Sequence, residues 1–267
     1  NLLNKAIKLD AECSCGSKLR ECKEWQKVFN ALLSRHGINM IDDPYKLRLW
    51  DALAYREIDH QHQTNAYRLA LNLRKAWMEV RDHLPRNLRE HFPIPPILLR
   101  AIYNKMNLYK EISRCWDKLV ILDSSKNIRE AVELHQRWPS RVNFSRRSSG
   151  RSQLESVSGW LKYYQRALPL LVRHIASDSF IQIRYEDLAS EPERIGHLLC
   201  NFMGITFESQ MLDLSNASRH LVNGNDTRFS PGKGIHLDER WRTKLCGEEL
   251  EFFQRAGRDM NVQLGYR

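Results

Sequence analysis

The chain has 267 residues, of which 42% are hydrophobic and 28% are charged. This composition supports a folded core and excludes a wholly disordered chain. The formal net charge of +10 indicates a surface that attracts anions, but it does not distinguish nucleic acid, anionic lipid or a phosphorylated small molecule. No apolar run approaches the ~18 residues of a membrane span and no signal-peptide pattern opens the sequence, so we expect a soluble cytoplasmic protein.

The first part of the chain has the periodicity of amphipathic helices. Residues Asn1 to Ala11 have the pattern of a helix end, Asn65 to His83 form a second predicted helix, and a third begins after Pro96. The apolar positions that share a face are Leu69, Leu73, Trp77 and Val80 in the second helix, and Leu98, Ile102, Met106, Tyr109 and Ile112 in the third. We therefore predict a helical lobe over residues 1–116.

After Trp116, short apolar runs alternate with helical stretches. The predicted strands are Lys118–Asp123, Arg141–Phe144 and Ser179–Arg184, and the predicted helices between them are Asn127–Arg137 and Leu154–Ile175. Such alternation is typical of a parallel sheet that binds ligands at the carboxyl ends of its strands. We therefore predict an α/β fold, a parallel sheet flanked by helices, in residues 117–267.

Polar residues follow the first predicted strand and have two interpretations. Asp123, Ser125 and Lys126 would project from the carboxyl edge of the sheet, where the lysine suits a phosphate or sulfate group. Ser125 would equally serve as the N-cap of the next helix. A similar choice concerns Glu186 and Asp187, which form either a solvated turn or part of a site.

Several short motifs, taken in their order along the chain, carry a family resemblance. The most characteristic string is Arg184-Tyr-Glu-Asp-Leu188 with the predicted helix start Glu191-Pro192 and the helix end Phe202-Met-Gly204. The other motifs are Cys13-Ser-Cys15-Gly16 with Cys22 and Trp25, Asp123-Ser-Ser-Lys126, His220–Asn225 with Arg228-Phe229, Asp238–Arg242, and Leu264-Gly-Tyr266. Their order resembles that of bacterial sulfotransferases, which have a P-loop-like core related to nucleotide kinases. The resemblance spans essentially the whole chain and implies one sulfotransferase-like domain over residues 1–267.

The resemblance implies transfer of a sulfuryl group from 3′-phosphoadenosine 5′-phosphosulfate to a hydroxyl or amine of an acceptor, with no metal. In such a reaction, cations and oriented amides stabilise the charge of the transferring group. Lys126 corresponds to the family lysine at the transferring group, with Asp123 and Ser125 as further candidate catalytic residues. The candidate donor-binding residues are Arg147, Ser156, Tyr185, Gly224, Asn225, Arg228 and Lys233.

Two departures from the family pattern concern the donor site. The glycine-rich loop that holds the 5′-phosphosulfate has no counterpart, since Gly232-Lys233-Gly234 lacks the first glycine of such a loop. The match begins at the cysteine motif that follows this loop in the family, so we expect the loop to be missing through N-terminal truncation. When Arg147 is aligned with the family arginine, Ser148 replaces an aspartate and Glu155 takes the expected serine position, one residue before Ser156.

The cysteines near the N-terminus also have two interpretations. Cys13, Cys15 and Cys22 suit a zinc site, with Cys115 as a distant candidate for the fourth ligand. The absence of an evident fourth ligand favours reduced thiols without a metal, and a reducing compartment disfavours a disulfide. His60 and His62 are two positions apart on a predicted helix and therefore indicate a solvated surface rather than a metal site.

Two other functions stay open. The net charge and the cluster Arg146, Arg147 and Arg151 suit a nucleic-acid-binding protein, but no interleaved aromatic residues accompany this cluster, so we expect no nucleic-acid partner. The second is a catalytically inactive sulfotransferase homologue. The predicted acceptor-side lobe, residues 1–116, does not distinguish a carbohydrate, a lipid or a small metabolite as acceptor.

Overall fold

The computed structural model describes residues 2–42, 65–123, 128–139, 153–213, 220–222, 235, 237, 239 and 247–266. Their regular structure is helical. The α-helices are α1 (Leu2–Lys8), α2 (Lys23–His36), α3 (Asn65–His83), α4 (Arg86–Arg89), α5 (Pro96–Trp116), α6 (Ile128–Arg137), α7 (Gln153–His174), α8 (Tyr185–Ser190), α9 (Pro192–Met203) and α10 (Glu248–Gln263). Two short 3₁₀ helices cover Ser177–Ser179 and Ser209–Leu212. None of the helices described is both long and apolar enough to cross a lipid bilayer.

The chain divides into two compact units, each made from two separate stretches of sequence. Unit 1 joins Asn1–Asp123 to Asp213–Gly232, and unit 2 joins Ser124–Leu212 to Lys233–Arg267. The stretches that complete each unit are therefore brought together by folding and not by sequence proximity. The predicted division after Trp116, between an acceptor-side lobe and a donor-binding core, stays a prediction.

The core of unit 1 lies between α2 and α5, which pack directly against each other. Trp25 stacks on Phe29 with ring centroids 5.7 Å apart and meets the ring of Trp116 edge-on at 5.1 Å. Both stretches of the unit contribute to the buried cluster, which includes Ile7, Leu19, Val28, Leu32, Met40, Leu108, Ile112 and Val222. Because full burial of one such side chain contributes about 1.5–3 kcal/mol, this cluster holds α2, α5 and the returning segment at Val222 together.

The predicted helices of the first part are confirmed, but their apolar faces differ in burial. α5 buries its predicted face, with Leu98, Ile102 and Met106 at most 6% exposed. On α3 the predicted face is exposed: Leu69 and Leu73 are each 62% exposed. Helical periodicity therefore predicted both elements, while only α5 covers its apolar stripe within the part of the chain that the structure describes.

Unit 2 is built around α7, which packs against α6 on one side and α10 on another. Trp160 of α7 lies 5.5 Å from Phe253 of α10, measured between ring centroids. The buried cluster between α6 and α7 contains Val132, Leu170, Leu171 and Ile175, with Ile128 and Phe180 packed against it. The predicted start of α9 at Pro192 and its end at Gly204, where φ is +69°, are both confirmed.

The predicted α/β fold is wrong, because the described residues contain no β-strand and no sheet. In the segment Lys118–Asp123, Leu119 and Leu122 are 97% and 82% exposed, whereas a central parallel strand buries both of its faces. The segment Ser179–Arg184 begins at the last residue of a 3₁₀ helix. Its second residue, Phe180, packs against the buried cluster of α6 and α7. Arg141–Phe144 lies outside the described residues. A short apolar run is buried equally well by helices as by strands, so its composition alone does not identify a strand.

The α2–α5 core generates a stability prediction from two neighbouring leucines. Leu32 is fully buried in this core, whereas Leu33 is 48% exposed. We expect Leu32→Ala to lower the free energy of unfolding by about 2–5 kcal/mol, because it removes buried methyl groups and leaves a cavity. Leu33→Ala is the matched control and should change it by about 0.5 kcal/mol or less. Urea unfolding of both variants checks this, and equal losses would contradict the described packing.

Candidate functional site

Asp123, the first of the candidate catalytic residues, is held by two side chains of α5. The ammonium Nζ of Lys105 lies 2.8 Å from a carboxylate oxygen of Asp123, and the Tyr109 hydroxyl donates a hydrogen bond to the same carboxylate. Lys105 also lies 5.6 Å from the centre of the Tyr109 ring, a cation–π distance. The side chain of Lys105 is only 6% exposed, so this carboxylate neutralises an almost buried charge.

Asp123 does not lie at the end of a strand, so the prediction that it projects from the edge of a sheet is wrong. The chain reaches it from α5 through Asp117, whose left-handed backbone ends the helix, and through Lys118, whose amide donates to the Ser113 carbonyl at 3.0 Å. Ser125 and Lys126 lie outside the described residues.

Tyr185 is the first residue of α8, in a region of unit 2 held by several polar contacts. The Arg184 guanidinium donates to Asp187 at 2.9 Å, and the Tyr266 hydroxyl donates to Glu186 at 3.0 Å. The Gln182 amide donates to the Leu264 carbonyl at 3.2 Å. The C-terminal segment after α10 therefore ties down both the start of α8 and the residues that precede it.

Two pKa shifts reflect these contacts around α8. Burial, followed by the neighbouring Glu186 carboxylate, raises the pKa of Tyr266 to about 12. The hydrogen bond from Arg184 lowers the pKa of the Asp187 carboxyl. Tyr266 therefore stays protonated at neutral pH and donates to Glu186, and Asp187 stays ionised and accepts from Arg184.

The other candidate donor-binding residues are not brought together within the described part of the chain. Ser156 lies within α7. Arg147, Gly224, Asn225, Arg228 and Lys233 lie outside the described residues, as do His60 and His62.

A second group of chemically active side chains lies in unit 1 and was only partly foreseen. The Sγ atoms of Cys13, Cys15 and Cys22 and a ring nitrogen of His220 all lie within 4.8 Å of one another. We call this group the cysteine–histidine cluster. Cys13 and Cys22 are buried, His220 is half-buried and Cys15 is exposed. Thiolates are soft metal ligands and imidazole also binds transition metals, and the same thiols are capable of redox chemistry.

The backbone around the cluster explains how the cysteines converge. Gly16, at φ +88°, closes a turn in which its amide donates to the Cys13 carbonyl at 2.8 Å. Cys22 is the N-cap residue of α2. The C-x-C turn and the helix start therefore present their thiols to the same point.

The pKa values of two thiols in the cluster move in opposite directions. Burial is the main cause that raises the pKa of Cys13 above its ordinary range. Burial also opposes ionisation of Cys15, but hydrogen bonds from Ser17, Cys13 and His220 outweigh it and lower the pKa of Cys15. Even without a bound ion, one thiol of the group is thus favoured as a thiolate.

His220 is the functional candidate that the sequence did not reveal. It begins the motif His220–Asn225, whose candidate donor-binding residues are Gly224 and Asn225, and the sequence indicated Cys115 as the distant fourth ligand. In the structure Cys115 packs beside the same hydrophobic core and His220 completes the cluster. The separation of 198 positions between Cys22 and His220 follows no local pattern, so only the folded chain shows that they meet.

A partial similarity relates the chain to a known enzyme. Over 98 aligned residues it is 30% identical to carbohydrate sulfotransferase 1 of Mus musculus, and the alignment covers 33% of this chain and 22% of that protein. No protein-family model matches the chain, and no solved structure matches it. Part of the chain is therefore similar to a sulfotransferase, in agreement with the resemblance of its motifs.

The anchoring of Asp123 generates a second stability prediction. We expect Asp123→Asn to lower the free energy of unfolding by about 1–3 kcal/mol, because the nearly buried ammonium of Lys105 loses a charged partner. Asp178→Asn is the control, since Asp178 is exposed and its carboxylate accepts a hydrogen bond from the neighbouring Ser179 hydroxyl. Urea unfolding checks both variants. In a Lys105→Met background the cost of Asp123→Asn should fall, and an unchanged cost would contradict the coupling.

Proposed function

We propose that the chain is part of a sulfotransferase that transfers a sulfuryl group from 3′-phosphoadenosine 5′-phosphosulfate to a carbohydrate hydroxyl. The partial similarity to a carbohydrate sulfotransferase carries this proposal. The order of the short motifs along the chain also supports it. A net charge of +10 suits a donor with several phosphate and sulfate groups.

In the proposed reaction the sulfur–oxygen bond to the donor phosphate breaks as a new sulfur–oxygen bond forms to the acceptor hydroxyl. The acceptor hydroxyl releases its proton to solvent, and adenosine 3′,5′-bisphosphate leaves with the bond electrons on its phosphate oxygen. Lys126 would stabilise the negative charge that grows on this oxygen, and Ser125 would donate a hydrogen bond nearby. Asp123 would position this segment through its contacts with Lys105 and Tyr109.

The proposed donor site contains Tyr185 as an aromatic surface for the adenine and Arg147 as a cation for the 3′-phosphate, with Ser156 as a hydrogen-bond donor. The resemblance also assigns Gly224, Asn225, Arg228 and Lys233 to donor binding. The contacts of Arg184, Glu186 and Gln182 support the role of Tyr185, because an aromatic side chain on a held backbone loses less entropy when a base stacks on it.

Binding of the donor product tests this site. We expect calorimetry to detect saturable binding of adenosine 3′,5′-bisphosphate, and Tyr185→Ala to weaken it about 5- to 150-fold, which is the stacking energy of one base expressed as affinity. Tyr103→Ala is the control, since Tyr103 lies in unit 1 and is 50% exposed.

Two outcomes of the same titration would contradict the proposal. Salt-sensitive binding of RNA, with no saturable binding of the nucleotide, would favour the nucleic-acid-binding alternative. Absence of binding to either ligand would favour an inactive homologue.

The role of Lys126 is tested by the rate of transfer to a carbohydrate acceptor, measured in a protein in which this chain is joined to a glycine-rich 5′-phosphosulfate loop of the family. We expect Lys126→Ala to lower kcat about 10²- to 10³-fold with a smaller effect on donor affinity, because the charge that it stabilises grows in the transition state. Lys126→Arg should rescue only part of the rate, since a planar guanidinium does not replace a compact ammonium. Lys110→Ala, at an exposed position of α5, is the control. A higher KM with unchanged kcat would make Lys126 a binding residue only.

A further inference from the structure

We propose that the cysteine–histidine cluster binds a structural zinc ion that joins the two stretches of unit 1. This inference is independent of the proposed transferase activity. It concerns a site to which the chemistry of sulfuryl transfer assigns no role.

The distances within the cluster match those around a tetrahedral zinc ion. Zinc–sulfur and zinc–nitrogen bonds of about 2.3 Å and 2.0–2.1 Å place neighbouring sulfurs about 3.8 Å apart and a sulfur and a nitrogen about 3.5 Å apart. The Sγ atoms of Cys15 and Cys22 are 3.7 Å apart. The ring nitrogen Nδ1 of His220 lies 3.3 Å from Sγ of Cys22 and 3.8 Å from Sγ of Cys13. An ion at the centre therefore needs only small shifts of these side chains.

A disulfide explains the same cysteines less well. A disulfide joins two sulfurs at about 2.05 Å, and these thiols are free in the structure, with the Cys15–Cys22 pair at 3.7 Å. A disulfide would also leave the third thiol and the imidazole without a reason to converge on the same point. Four donor groups around one centre are the arrangement of a metal site.

The four ligands favour zinc over other metals, and they indicate a structural site rather than a catalytic one. Three thiolates and one imidazole form a common zinc ligand set, in which four protein ligands leave no open position for substrate or water. Oxygen-binding cations such as magnesium and calcium are disfavoured, because the cluster contains no carboxylate. Three thiolates and a dipositive ion leave one net negative charge, which the positive N-terminal end of α2 stabilises where Cys22 begins the helix.

Contacts outside the ligands hold His220 in place. The indole N–H of Trp25 donates to the His220 carbonyl at 2.9 Å. The amide of Ser14 donates to the Leu221 carbonyl, and the Leu221 amide donates to the Ser14 hydroxyl, both at 2.9 Å. The residue between Cys13 and Cys15 is thus bonded to the residue after the histidine. Such outer contacts orient metal ligands before the metal binds, and in known sites their loss costs about 10- to 100-fold in affinity.

The first experiment measures metal in the unaltered chain. We expect the purified protein to retain one equivalent of zinc by mass spectrometry of its metal content. Replacement of the zinc by cobalt(II) should produce thiolate-to-cobalt charge-transfer bands and the intense visible bands of a tetrahedral site. A strong chelator should lower the thermal unfolding temperature, because the metal stabilises the folded state that binds it.

The second experiment compares two cysteines of unit 1. Cys22→Ser should weaken zinc binding by more than the ~100-fold upper end for an outer contact, because it removes a ligand. Cys115→Ser is the matched control: Cys115 packs beside the same core but lies outside the cluster, so its replacement should leave the cobalt spectrum unchanged. Ser14→Ala should weaken binding by about 10-fold while preserving the tetrahedral spectrum.

The proposal is overturned if the unaltered chain binds neither zinc nor cobalt, or if its cobalt spectrum lacks thiolate bands. It is also overturned if Cys115→Ser removes these bands as completely as Cys22→Ser. The cobalt spectrum of the unaltered chain decides the matter even where Cys22→Ser fails to fold.

Discussion

Trp25 makes the contacts on which the architecture of unit 1 depends. Its ring packs on Phe29 of its own helix and against Trp116 at the end of α5, while its N–H binds the carbonyl of His220. One side chain therefore links α2, α5 and a segment that returns from almost two hundred residues further along the chain. Because its apolar surface is buried and its polar N–H is paired at the same time, it has no unsatisfied group that would favour another position.

A sheet edge was expected to hold the candidate catalytic and donor-binding residues, and the described residues contain no sheet. In a parallel sheet, backbone hydrogen bonds bring the strand ends to one edge and so assemble a site. Among the described residues, single side-chain contacts hold the candidate residues or their neighbours, as with Lys105 at Asp123 and Tyr266 at Glu186, the residue after Tyr185. Such contacts hold individual residues firmly, but each depends on a few specific side chains.

The elements that were predicted correctly are those specified by local chemistry. The bounds of α3 and the buried face of α5 follow from periodicity, and the limits of α9 follow from Pro192 and Gly204. The sheet was predicted from short apolar runs, whose partners are chosen by tertiary packing; Phe180 of one such run packs against the buried cluster of α6 and α7.

In the candidate sites, too, residues that are close together in the sequence were predicted, and contacts between distant residues were not. The three cysteines lie within one short segment, so their spacing alone suggested a metal site. The fourth member of the cluster is beyond the reach of any local pattern, and without it the spacing favoured idle thiols. Arg147 was assigned to the donor site only by resemblance, since a single cation in a basic chain has no distinguishing pattern. Lys126 was also indicated by its place after the predicted strand Lys118–Asp123, and the structure contains no strand there.

The division of unit 1 between distant stretches has a consequence for the order of events during synthesis. Cys13 and His220 are 207 positions apart, and ribosomes add about 5–20 residues per second. The N-terminal thiols therefore wait roughly 10–40 s before their histidine partner has been made. During this interval most of the chain, including the first stretch of unit 2, emerges while unit 1 is incomplete. If the thiols stay reduced and form no early disulfide, all three cysteines are still free to meet His220 when it has been made.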